Sequence, residues 1–227
     1  MEKQEKTITV TGRGGIHVVP DITRLELTLV SLHDSYEDAY DQGKSDTEKL
    51  SEIMKAAKLN TKLPKTTRFD IDKKTIPEYD KHHNYIGEKF LGFQLTHLVK
   101  IDLGMDNVLL NQIVKNIGKA IKQAEINIGY TVKDQRPSQL RMLERAVKDA
   151  REKAGIMAKA AGCRLGACRS INYTIDEITI YSQARSIHGP QEACCCNEAS
   201  LDITPDDLAV SDTVHTEWYL EEKEPHE

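Results

Sequence analysis

The longest strict alternation in the chain runs from Phe93 to Leu103. Phe93, Leu95, His97, Val99, Ile101 and Leu103 share one face, while Gln94, Thr96, Lys100 and Asp102 share the other. Strand side chains alternate faces with a period of two, so the stretch reads as a half-buried strand. A strand that is polar on one face belongs in an antiparallel sheet, because parallel sheets are covered on both sides.

The neighbouring segments extend this pattern. Ile8 and Val10 alternate within Thr7 to Val10, and Leu25, Leu27 and Leu29 alternate with Glu26 and Thr28 after the break at Pro20-Asp21. These two runs read as an antiparallel pair, with Gly12, Gly14 and Gly15 marking a bulge or a close backbone approach. Ser35, with Asp38 three residues on, caps a helix whose apolar stripe is Tyr36, Ala39, Tyr40, Gly43, Thr47, Leu50, Met54 and Ala57. Phe69 and Ile71 alternate in a further strand, and Pro77 to Gly87 reads as a hairpin tip. Asp106 caps a second helix with the stripe Leu109, Leu110, Ile113, Val114, Ile117 and Ile121. A strand follows, with Ile126, Ile128, Tyr130 and Val132 on one face. Ser138 caps the longest helix, whose inner stripe reads Leu140, Leu143, Val147, Ala150, Ala154, Met157 and Ala161, ending at Gly162. Ala146, Ala150, Ala154 and Ala158 allow close approach to a sheet or a partner helix. Ile171-Tyr173-Ile175 and the alternation Leu208, Val210, Val214, Trp218, Leu220 supply the last strands.

Helices here follow hairpins, not single strands. The fold class is therefore α+β: antiparallel sheets with helices packed on one face, arranged as two βαβ-type subdomains with the second inserted in the first. Residues 1–62 and 135–220 form the discontinuous main subdomain, and 63–134 the inserted ββαβ subdomain. Residues 182–205 form an irregular cysteine-containing loop, and 221–227 an acidic tail. The first and last sections are expected to share one sheet.

Composition narrows the function classes. Apolar residues make up 39% of the chain and charged residues 30%, which suits thin layers better than a deep core. A net charge of -5 and a pI near 5.9 give no basic footprint for nucleic acid. No run of ~18 apolar residues is present to span a bilayer. The charged opening from Met1 to Lys6 shows no signal peptide, so a cytoplasmic location is the expectation from the residues alone.

The cysteines are Cys163, Cys168 and the run Cys194, Cys195, Cys196, an odd set that suits reducing surroundings better than a disulfide framework. In extended chain, Cys194 and Cys196 face the same way. With His188 they form a candidate soft-metal set, which sets up one alternative: a thiol-dependent metal-binding or redox-protective protein. Against it, structural zinc wants four spaced ligands, and Glu192 and Glu198 raise nearby thiol pKa values. The glycines at 12, 14 and 15 lead into strand-like Ile16-His17-Val18-Val19 instead of a helix, so they make no phosphate cradle; a bulged edge strand suits them better. His97 on an apolar face reads as a core histidine, and His82 and His83 as an exposed tip. Asp70, Asp72, Glu78, Asp80 and Glu88 make the middle hairpin acidic. With aromatic residues at only 5% of the chain, these carboxylates do not suggest a sugar cleft; they read as a solubilising face or as an edge guard against sheet-to-sheet association. No catalytic constellation emerges, and no cofactor is implied.

Three motifs together resemble one family. The opening Ile8-Thr9-Val10-Thr11-Gly12-Arg13-Gly14 with Val18 and Pro20-Asp21 is similar to the start of SIMPL-domain proteins. Ala146, Ala150, Lys153-Ala154, Ala158, Gly162 and Leu165-Gly166 resemble their Ala-rich helix and its exit. Asp206, Leu208, Val210, Ser211, Val214 and Leu220 resemble their closing strand. The resemblance spans nearly the whole chain. It implies a largely unknown biochemistry with no established catalytic residues. It also implies an association with bacterial envelope or periplasmic proteins and oxidative-stress tolerance, a eukaryotic kinase-binding adaptor, and oligomers among bacterial members. The leading expectation is thus a non-enzymatic, self-assembling interaction module, a homo-oligomer whose contact surface includes Phe69, Ile71, Phe90 and Phe93 of the middle hairpin.

Overall fold

A computed structural model describes residues 5–173, 180–187 and 205–222. The elements in chain order are β1 (Thr7–Val18), β2 (Ile22–His33), α1 (Tyr36–Ala56), β3 (Lys65–Tyr79), β4 (Tyr85–Gly104), α2 (Asn107–Ala120), β5 (Ala124–Thr131), α3 (Arg136–Ala160), β6 (Cys163–Asn172), β7 (Tyr181–Ile187) and β8 (Leu208–Glu222). The strands form one sheet of order β1-β8-β6 and another of order β3-β4-β2-β5-β7. The pairings with a described register are antiparallel, and the α+β class holds. Among the described residues, no helix is long and apolar enough to cross a membrane.

Two compact units result. The first takes the described residues of 1–20, 132–181 and 206–227, and the second those of 21–131 and 182–205. The first and last sections do share a sheet, through β1 and β8. The boundary expected after residue 62 falls instead at Pro20-Asp21. β2 does not pair with β1; it lies between β4 and β5, and carries α1 with it into the second unit. Pro20-Asp21 is thus a crossing between sheets, not a hairpin turn. Part of the loop expected at 182–205 is strand, since β7 adds to the sheet beside β5. β8 likewise runs into the expected acidic tail, pairing Glu221 with Arg164 and Glu222 with Cys163.

In the first unit, the contact between α3 and β1 is made by small residues. Met142, Ala146, Ala150, Ala154 and Ala158 are the buried face of α3. Leu140 and Met157, expected inward, are 57% and 51% exposed. The reason lies across the contact: a Cβ on Gly12 would stand 2.0 Å from the Ala146 carbonyl oxygen, and one on Gly14 1.9 Å from that of Met142. Helix and strand backbones touch, and larger side chains are turned out. β1 pairs with β8 without a register shift from Thr7 to Val18, so close approach, not a bulge, explains these glycines. Ser138 lies inside α3 and does not cap it. Gln135 holds the cap position, without a side-chain cap bond, and Pro137 sits in the first turn where its missing N–H costs nothing. Gly162 exits the helix at φ +76, the left-handed geometry glycine adopts freely. The strand expected around Ile171 begins earlier, at Cys163, and Ile175 lies outside the described residues.

β1 is an edge strand, and α3 occupies its open side. The Arg13 N–H donates to Asp149 Oδ2 at 2.7 Å, Lys153 Nζ to the Thr11 carbonyl at 3.4 Å, and Arg145 Nη1 to the Gly15 carbonyl at 2.6 Å.

In the second unit, α1 and α2 cover one sheet face. Leu25, Leu27 and Leu29 of β2, Val99, Ile101 and Leu103 of β4, and Ile126 and Ile128 of β5 meet Leu50, Ile53 and Met54 of α1 and Leu110, Ile113 and Ile117 of α2. Each such side chain contributes roughly 1.5–3 kcal/mol on burial. Both expected helix caps are formed. Ser35 Oγ accepts from the Asp38 N–H at 3.0 Å, and Asp106 Oδ1 from Val108 and Leu109 at 2.9 and 3.0 Å. On the opposite sheet face, Arg24 donates twice to Asp102, at 2.7 and 2.9 Å, which holds the Asp102 carboxyl below the usual carboxylate range.

Candidate functional site

The strands β3 and β4 are longer than the core needs. Only Leu95 to Leu103 of β4 alternate as buried positions under the helices; from Tyr85 to Leu91 most residues are exposed. The excess length makes a two-stranded arm. Its tip is shorter than the expected 77–87 turn, because pairing continues through Pro77↔Glu88 to Tyr79↔Tyr85. Pro77 is accommodated because β3 is an edge strand. At the tip, Asp80 accepts the backbone N–H groups of His82 and Asn84 at 2.7 and 2.9 Å, which pulls its carboxyl pKa down. His83 follows at φ 63. The tip histidines thus belong to an Asx-type turn.

The arm carries the aromatic residues. All three phenylalanines of the chain, Phe69, Phe90 and Phe93, and four of its eight tyrosines, Tyr36, Tyr40, Tyr79 and Tyr85, lie on it or on the first turns of α1 beside it. The register places Phe69 opposite His97, Ile71 opposite Leu95 and Lys73 opposite Phe93, so Phe69, Ile71 and Phe93 share the face that continues the core. Phe90 joins them: it stacks edge-on against Phe93 at 5.4 Å, and Phe93 meets Tyr36 at 6.1 Å. Phe69 bridges Tyr40 at 6.3 Å and His97 at 5.1 Å, and Tyr79 meets Tyr85 at 6.2 Å. Gly43 makes room for this packing, since a Cβ there would stand 2.5 Å from the Phe69 ring.

These rings meet in three groups along one face, Tyr36 with Phe93 and Phe90, Tyr40 with Phe69, and Tyr79 with Tyr85, and they are not covered. Phe69 is 37% exposed, Phe90 48%, Tyr40 54%, Tyr36 55%, Tyr79 57% and Tyr85 60%. The four residues expected to form a contact surface are therefore brought together on one face. Helical spacing places Tyr36 and Tyr40 in the buried stripe of α1. They sit instead at its outer end, where the arm extends past the core and leaves them half open. With Tyr79 and Tyr85 they enlarge the expected surface. The detectable signal was the confinement of every phenylalanine to 69–93.

At the base of the arm lies His97. It is 1% exposed; its Nε2 is 2.9 Å from the Thr66 hydroxyl, and its Nδ1 has no hydrogen-bond partner among the described residues. Burial pushes the imidazole pKa below its ordinary value of 6.5, partly offset by the Asp46 carboxylate. Asp46 is itself buried in α1 and is held by Gln42 at 2.8 Å and Lys49 at 3.3 Å. His97 is a core histidine, as expected.

The acidic residues of the arm do not converge. Asp70 pairs with Arg68, Glu88 accepts from Thr75 at 2.9 Å, and Asp80 is engaged by the tip. Cys163 and Cys168 are free thiols on β6, one half-buried and one exposed. The candidate metal set His188, Cys194 and Cys196, with Cys195, lies outside the described residues. No group of three or more potential metal-binding side chains occurs among the described residues.

No curated protein matches the chain. The family model named SIMPL, described as a protein of unknown function (DUF541), matches residues 8–218, from the start of β1 to Trp218 in β8, and the chain belongs to that family.

Proposed function

We propose that this protein works by contact rather than catalysis, as a self-associating module whose arm meets further copies of the same chain through its aromatic face. The observation that carries the reading is the exposed cluster of Phe69, Phe90, Tyr36, Tyr40, Tyr79 and Tyr85. At ~200 Å² per ring side chain, their exposed fractions sum to roughly 600 Å². A standard interface takes ~800 Å² from each partner, so this face supplies most of one before its polar rim is counted. An apolar surface of that size stands at the top of the ~300–600 Å² range of the largest patch on a typical monomer, and such patches are often functional. Aromatic residues are also the side chains that dominate interface energetics.

The test is native mass spectrometry of the full chain beside its Phe90→Glu variant. Phe90 is half exposed and its ring contact is with Phe93, so the substitution leaves the core in place. The wild type is expected at an integer multiple of the subunit mass and the variant at a smaller multiple, with unchanged circular dichroism. A monomeric wild type, or a variant of undiminished mass, overturns the reading.

A further inference from the structure

The two sheets treat their outer edges differently. On β1, three side chains of α3 occupy backbone groups on the open side. On β3, among the described residues, only β4 is hydrogen-bonded to the main chain. An open edge strand is a template for another strand. The pattern of β3 specifies which strand fits.

From Arg68 to Glu78 the strand is regular. The shift between Thr66 and Arg68 lies before it, and the shifts near Lys74 and Glu78 skip residues of β4, not of β3. Its solvent face reads Arg68, Asp70, Asp72, Lys74, Ile76, Glu78. Turned end for end about Lys73, this row complements itself. Arg68 falls opposite Glu78 of a second copy, Asp72 opposite its Lys74, and Asp70 opposite its Ile76, each twice by symmetry. On the aromatic face, Phe69 falls opposite Pro77 and Ile71 opposite Thr75. Moving the register one pair either way weakens the match. One shift sets Asp72 against Asp72 and Arg68 against Ile76, keeping only Asp70 against Lys74; the other sets Asp70 against Glu78 and leaves no opposite-charge pair, and each register has one like-charge pair on its axis. Opposite charges directly across a strand pair stabilise it and like charges oppose it, so the row selects one register.

We infer that β3 pairs antiparallel with β3 of a second copy about a two-fold axis at Lys73, joining two five-stranded sheets edge to edge. Such an isologous contact closes on itself; Pro77, which has no N–H to donate, lies near each end of the joint opposite Phe69, so the ladder is complete only across its centre, between Ile71 and Thr75. It places the two aromatic faces side by side on one surface. The inference rests on the self-association reading above: the edges form the dimer, and the doubled aromatic face is where dimers meet. The one like-charge pair, Lys73 against Lys73, sits on the axis, where the long side chains can diverge.

The experiment uses the full chain carrying Phe90→Glu, whose species is expected to be the edge dimer. Adding Arg68→Glu, or separately Glu78→Arg, sets like charges opposite one another twice. Each is expected to weaken the dimer roughly tenfold or more. Combining Arg68→Glu with Glu78→Arg in one chain restores it. Mixing the two single-charge variants yields a heterodimer of intermediate mass, because each supplies the other's complement. If Phe90→Glu is already monomeric, or the charge variants dissociate no more than their parent, strand pairing is overturned while the aromatic contact stands. If the single variants dissociate but neither combination nor mixing restores the dimer, the Lys73-centred register is overturned. A monomeric wild type removes both readings.

Discussion

Gly14 lies so close to α3 that a Cβ built on it would stand 1.9 Å from the carbonyl oxygen of Met142. No rotamer relieves such a contact, because both atoms are fixed by backbone. Substituting Gly14 with alanine must therefore push α3 off β1 and open the row of buried alanines behind it. The expected cost is ~3 kcal/mol or more, the upper end of overpacking effects. Gly15 provides the control: its nearest neighbour would be the Val210 carbonyl oxygen at 3.9 Å, so Gly15→Ala should be close to neutral. Trp218, the single tryptophan, lies buried with Val10 and Ala154 in the same unit, so its fluorescence reports this packing directly. A urea midpoint that is lowered in Gly14→Ala but not in Gly15→Ala is the expected result.

His97 makes a second prediction, with a definite sign. Its folded-state pKa is depressed below 6.5, chiefly by burial. The unfolded chain therefore takes up a proton at this site at a higher pH than the folded chain does. Stability from keeping His97 neutral is complete above about pH 6.5 and declines as pH falls below it, by up to ~1.4 kcal/mol per pH unit. The groups facing the ring are the Thr66 hydroxyl and Phe69 from β3 and the Asp46 carboxylate from α1, of which only Asp46 favours the charged form. Urea unfolding between pH 7.5 and 5 should show a steeper loss in the wild type than in His97→Gln. Parallel slopes would remove His97 as the cause.

Much of the fold was legible because it rests on periodicity. The stretch from Phe93 to Leu103 alternates as a strand facing a core must, and Ser35 and Asp106 cap helices by local chemistry that needs no tertiary information. What was not legible depends on partners distant in sequence. β1 and β2 both alternate and stand a few residues apart, yet nothing in either says that one pairs with β8 and the other with β4 and β5. The α3 face departs from its apolar spacing for a related reason. Large apolar residues are usually the buried ones, but Gly12 and Gly14 on the far side of the contact select alanine, and Leu140 and Met157 are turned outward. The aromatic surface was half visible. Phe69, Ile71, Phe90 and Phe93 stood out as apolar residues in a polar hairpin, whereas Tyr36 and Tyr40 obey helical spacing and looked like core. Only the length of the arm relative to α1 shows that no core lies beneath them.

The guard on β1 makes the last prediction. Asp149 Oδ2 accepts both the Arg13 N–H and the Lys153 ammonium, and these bonds hold its carboxyl below the usual carboxylate range. Lys153 in turn donates to the Thr11 carbonyl. Removing one carboxylate thus frees an N–H on the strand edge directly and releases the lysine that covers a neighbouring carbonyl. An edge with unpaired N–H and C=O groups recruits other strands. Asp149→Ala should therefore scatter more light than wild type on prolonged incubation at neutral pH, with little change in Trp218 fluorescence. Protonating Asp149 weakens both bonds, so scattering by the wild type should rise above its neutral-pH level as pH falls below the carboxylate range, while Asp149→Ala should show no further rise attributable to this group. Equal scattering by the two proteins at neutral pH would mean that the helix side chains rest on β1 without protecting it.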